Sequence, residues 1–137
     1  MKQEKIITIN GQEIHMIYCA ATENGYESIS GNSINVFIPK FGKNDKGEDV
    51  IKEPAKATIG DFITLAVAAI VAYYTREGIN ETPVDSKYIL YEATPQERNE
   101  LLTAIAELRN EWYSVPKTVG ETLAKDAKDQ KGDNAKN

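Results

Sequence analysis

The chain is poor in the residue types that perform chemistry. Its 137 residues include one cysteine, Cys19, and one histidine, His15. A lone cysteine excludes an intrachain disulfide and cannot build a zinc site by itself. There is no phosphate-binding glycine loop, no Gly-x-Ser-x-Gly and no Cys-x-x-Cys. An enzyme is therefore a poor expectation, and no cofactor or metal is expected. Basic charge is also short: 16 Lys and Arg stand against 21 Asp and Glu, a net charge of −5. Residues 1–119 hold 12 basic and 17 acidic groups, and residues 120–137 hold 4 and 4. Neither part is a basic patch, which disfavours unassisted binding to nucleic acid or to an anionic membrane. Long apolar runs are missing as well. "MKQEKIITIN" has no signal-peptide core, and the most apolar stretch, Phe62 to Tyr74, is too short to cross a bilayer. The expectation is a cytoplasmic protein with one domain over residues 1–119.

The pattern that is present predicts an α+β fold. "KIITIN" and "QEIHMIY" are rich in β-branched residues and meet at Asn10-Gly11. Asn-Gly between two such runs signals a hairpin, because both central residues of a type I′ turn need positive φ. Ile14, Met16 and Tyr18 would share one face of the second strand, with Glu13, His15 and Ile17 on the other. A helix is predicted from Cys19 to Ser30 and stopped by Gly31. Gly25 within it costs about 1 kcal/mol relative to alanine, so it must lean on tertiary packing. "INVFIP", 34–39, admits a third strand, and residues 40–57 read as an exposed charged loop or flexible hairpin tip.

Three helix starts then share one grammar, a threonine with a carboxylate three residues on: Thr58…Asp61, Thr82…Asp85 and Thr94…Glu97. The hydroxyl accepts from an orphan N–H, and the acid suits the positive helix end. Helices are predicted over 59–77, 83–92 and 95–113. Leu101, Ala104, Ile105, Leu108 and Trp112 form an apolar stripe on the last. Residues 120–137 are polar and read as a disordered tail. The architecture expected is an antiparallel hairpin packed on three to four helices.

Two candidate sites weigh differently. His15 and Cys19 look like a dyad, but four residues along a strand span about 13 Å, beyond hydrogen-bond reach. They read as a strand-face residue and a small buried hydrophobe. The helix over 59–77 is apolar nearly all round, which means either central burial or cover by a partner. Its four alanines would allow close approach of another helix. The candidate partner-binding residues are Phe62, Leu65, Ala69 and Tyr73, with Trp112.

"ITINGQEIHMIYCAATENGYESISGNSI", residues 7–34, resembles the start of phage tail assembly chaperones. The resemblance rests on a hairpin, then a helix carrying Tyr26-Glu27 with Gly31 four residues later, then an alanine-rich helix and shorter acidic ones. It extends over roughly residues 5–115. It implies a non-enzymatic protein that coats the hydrophobic tape measure protein in the host cytoplasm until tail tube protein polymerises around it, and that is absent from the finished virion. Self-association is compatible with that role. A structural phage protein, such as a head–tail connector or tail completion protein, is the alternative.

Overall fold

A computed structural model describes residues 4–114. The expected tail at 120–137, and the end of the domain at 119, lie outside the described residues. The first hairpin forms where Asn-Gly places it. Strands β1 (Glu4–Ile9) and β2 (Gln12–Ile17) pair antiparallel with Ile9 opposite Gln12. Asn10 and Gly11 both have positive φ, 54° and 74°, as a type I′ turn requires. Period-two alternation then sorts the faces. Ile7, Ile9, Ile14, Met16 and Tyr18 enter the core, whereas Ile6 remains exposed.

Helix α1 (Ala20–Ser30) follows at once. Thr22 ties the junction: its hydroxyl donates to the Ile17 carbonyl at 2.8 Å and accepts from the Cys19 N–H at 3.2 Å. Gly31 ends the helix in the left-handed region, φ 75°. Gly25 has its packing reason in helix α2 (Ile59–Arg76), since a methyl group there would stand 3.3 Å from the Ala68 Cβ. The close helix approach allowed by the alanines is therefore used within the chain.

Helix α2 runs through the middle. It packs against α1, β2, α3 (Ser86–Tyr91) and α4 (Pro95–Ser114). Leu65, Ala66, Ala69 and Ile70 have no exposed surface. By length and composition alone its 18 residues could span a membrane, but Ile63 and Leu65 to Ile70 lie buried against the protein's own residues. Leu101, Ala104, Ile105 and Leu108 of α4 complete the core, with Trp112 packed on it.

Three expectations are corrected or narrowed. Residues 34–37 form a 3₁₀ turn, not a strand: the Ser33 hydroxyl accepts from the Asn35 N–H at 3.1 Å, and the turn drops Phe37 into the core. Of the two readings of residues 40–57, a loop or a flexible hairpin tip, the hairpin is the one that forms, with β3 (Lys40–Lys43) pairing antiparallel to β4 (Asp49–Glu53). Its turn is built by Asn44, whose side-chain oxygen accepts from Lys46 and Glu48 N–H, each at 2.9 Å. Gly47 supplies the positive φ, 79°. The third helix starts later than its threonine suggests. Asp85 is the cap, accepting from the Tyr88 N–H at 2.9 Å, while Pro83 precedes the helix and Val84 anchors it in the core.

The other two caps form as expected. Asp61 accepts from the Thr58 N–H at 2.9 Å, and Glu97 accepts from the Thr94 N–H at 3.0 Å. Glu97 also accepts from the Asn10 N–H at 2.6 Å, so one carboxylate ties the hairpin turn to the start of α4. Asp61 likewise accepts from the Tyr26 hydroxyl at 2.9 Å, tying α1 to α2. These donors hold both carboxyls below the ordinary range, chiefly the Asn10 N–H for Glu97 and the Thr58 N–H for Asp61.

A folded-state pKa below the unfolded one adds stability that is complete above the ordinary carboxylate value, about 4. That stability drains as pH falls through the lowered folded value. Glu97→Gln should melt below wild type at pH 7, and the gap should close in acid; thermal melts between neutral pH and strong acid check this. A gap independent of pH would contradict the assignment.

Candidate partner-binding surfaces

The five residues expected to bind a partner do not form one surface. Leu65 and Ala69 are fully buried, so contact with them requires opening the core; their burial removes them as a binding face. Phe62 is half-buried and meets Phe37 edge-on, ring centroids 4.9 Å apart, and Phe37 meets Tyr26 in the same way at 5.0 Å. Tyr73 is half-buried at the other end of the helix, roughly 16 Å away by helical rise. It stacks on His15 at 4.5 Å, with the Arg76 guanidinium 5.3 Å above its ring. Trp112 packs near Tyr18, 5.9 Å between rings. The three partly exposed aromatics therefore present edges at separate places.

His15 and Cys19 take separate partners, as strand geometry requires. The His15 Nδ1 lies 3.0 Å from a Glu4 carboxylate oxygen, while the Cys19 Sγ lies 3.8 Å from the Thr22 hydroxyl. Among the described residues, no group of three or more His, Cys, Asp and Glu side chains is placed to hold a metal ion.

A polar cluster joins Tyr18, just after β2, to α1 and α4. The Glu23 carboxylate accepts from the Tyr18 hydroxyl at 2.8 Å and from the Tyr113 hydroxyl. Burial, and then the Glu23 charge and hydrogen bond, push the Tyr113 phenol up to about 12 and raise Tyr18 as well. Both phenols remain donors at neutral pH. Arg109 lies between the rings of Phe37 and Tyr113, 5.5 and 4.9 Å from their centroids, and donates to the Phe37 carbonyl at 3.2 Å. This arrangement holds the end of α4 against α1 and the 3₁₀ turn. It is a tie rather than a reactive centre, because each hydroxyl is committed to a carboxylate.

The apolar surface that remains open lies elsewhere. Phe41 and Ile51 face each other across the second hairpin and are 65% and 60% exposed. Ile38 just before β3 and Ile59 at the start of α2 are also exposed. The N–H groups of Lys56 and Ala57 both donate to the Val36 carbonyl at 2.9 Å, which brings the end of the hairpin back beside the 3₁₀ turn. Beyond that base the hairpin makes at most marginal contact with the other elements. A second exposed apolar pair, Leu90 and Tyr91, ends α3. Sequence reasoning missed Phe41 and Ile51 because nine charged residues between 40 and 56 masked the strands. The visible signal was Phe41 and Val50-Ile51 flanking Asn-Asp-Lys-Gly.

The two kinds of apolar residue should respond oppositely to substitution. Leu65→Ala should cost about 2–5 kcal/mol, the range for a truncated core leucine. Phe41→Ser should leave stability within about 0.5 kcal/mol, as for surface changes. Urea unfolding of both variants measures the contrast. No known protein family matches the chain, and neither does any curated protein or solved structure.

Proposed function

We propose that the protein is a tail assembly chaperone of a phage or prophage, and that it binds the hydrophobic tape measure protein through the second hairpin. The observation that carries this reading is the exposed Phe41–Ile51 pair on a hairpin that the rest of the fold leaves uncovered. Contiguous apolar surface of this kind marks an interaction site. An amphipathic helix offers apolar anchors at i, i+3 and i+4, which can cover the exposed Phe41–Ile51 pair. Flanking pairs, Lys43 with Asp49 at 2.5 Å and Lys40 with Glu53 at 3.8 Å, frame the platform with near-neutral charge. The acidic remainder of the chain favours solubility of the coated complex. The resemblance over residues 5–115 supplies the identity of the partner.

Co-expression with the tape measure protein of the same phage or prophage genome tests this. The wild-type chain should keep that partner in the soluble fraction. Phe41→Asp with Ile51→Asp should reduce the soluble partner about tenfold or more, the loss expected when a central apolar anchor is removed, while the melting temperature stays unchanged. Tyr91→Ser, on the other exposed patch, should have no effect. Undiminished solubilisation by the double variant would overturn the assignment, and recovery of the protein from purified virions would favour a structural role instead.

A further inference from the structure

The two edges of the first hairpin are finished differently. A two-residue turn makes Ile9–Gln12 the closing hydrogen-bonded pair. Pairs then alternate, so Thr8–Glu13, Ile6–His15 and Glu4–Ile17 are the unbonded ones. Their peptide groups point away from the partner strand. On β2 that outer edge is capped: the His15 N–H donates to the Tyr74 hydroxyl at 3.4 Å, and the Ile17 carbonyl accepts from the Thr22 hydroxyl at 2.8 Å. On β1, among the described residues, no hydrogen bond from outside the ladder reaches Ile6 or Thr8. An edge strand in this state is a template for another strand.

That open edge borders a groove of about 470 Å³, with residues 5–8 as one wall and α4 as the other. The α4 wall is polar and acidic, carrying Asn99, Glu100, Thr103 and Glu107. Lys5 lies 3.1 Å from Glu107 and offsets its charge. Glu100 meets the Gln96 amide at 3.3 Å, but among the described residues no cation pairs with it. Ile6, 53% exposed, stands on the outer face of the strand beside the groove.

We propose that this groove binds an extended, basic peptide segment of a partner protein, which adds to β1 as a third strand. The peptide's backbone would bond the outward N–H and carbonyl groups of Ile6 and Thr8. A lysine or arginine on the groove side would pair with Glu100, and a β-branched residue on the outer side would cover Ile6, as cross-strand neighbours do. A second copy's β1 is the wrong occupant. Two-fold edge pairing would bring the α4 walls together, with Glu100 and Glu107 on both, and such like-charge contact is unfavourable. This surface is separate from the second hairpin, so it stands whether or not the chaperone reading does.

Amide exchange on the full chain, read residue by residue, tests the proposal with two synthetic peptides: Lys-Thr-Val-Lys-Val-Thr-Val-Lys and its counterpart with glutamate in place of lysine. The lysine peptide should slow exchange at Ile6 and Thr8 by about tenfold or more, since new backbone hydrogen bonds protect those amides. The glutamate peptide should have no effect. Glu100→Lys should reverse the preference. No protection by either peptide, equal protection by both, or an unchanged preference in the variant would overturn the proposal. So would slow exchange at Ile6 and Thr8 without peptide: at dimer mass it would place a second copy on the edge, and at monomer mass a segment of the chain itself.

Discussion

The fold depends on enclosing one helix. Helix α2 is apolar on almost every side, and such a helix is stable in water only if each side is covered. The chain meets this with four neighbours of different kinds: α1 through the Gly25–Ala68 contact, β2 through its apolar face, α4 through its leucine and isoleucine stripe, and α3 at the end. Small residues set how near these neighbours come. At Gly25 the local helix penalty is accepted because a larger residue would hold α1 away from α2. Everything else in the body is arranged around that enclosure.

The periphery is held by carboxylates that each serve two elements. Glu97 caps α4 and also the first hairpin turn, Asp61 caps α2 and takes the Tyr26 hydroxyl, and Glu23 gathers Tyr18 and Tyr113. In each case local helix-start chemistry or a surface acid doubles as a tertiary link. The acidic residues of this chain are therefore partly structural. Glu100, on the groove wall, takes only the Gln96 amide at 3.3 Å and, among the described residues, no cation, which is why the proposed peptide is given a basic residue to pair with it.

Local physics made much of this readable in advance. The type I′ turn, the Gly31 stop, the Thr58 and Thr94 caps and the α4 stripe all depend on residues within a few positions of one another. What failed to read depended on distant partners. "INVFIP" has strand composition, but Phe37 is drawn into edge-on contact with Tyr26 and Phe62, and the backbone curls to allow it. Thr82 and Pro83 imitate a helix start, yet burial of Val84 and the stronger cap at Asp85 move the start onward. The second hairpin stayed one of two readings because neither strand buries a face, so its alternation carried no hydrophobic contrast. The candidate site suffered most from this. Apolar pattern marks residues that avoid water, but it does not say whether the chain or a partner covers them.

The apolar residues in the middle of α2, Leu65 to Ile70, are thus enclosed, whereas the Phe41–Ile51 pair of the second hairpin is open, and the proposed partner binding follows from that contrast. Native-state hydrogen exchange measures it most directly. Amides of Leu65 to Ile70 should exchange only through global unfolding, whereas those of β3 and β4 should exchange through local opening at far lower free energy. If α2 exchanges as readily as the second hairpin, the helix is not the enclosed core, and the division is wrong.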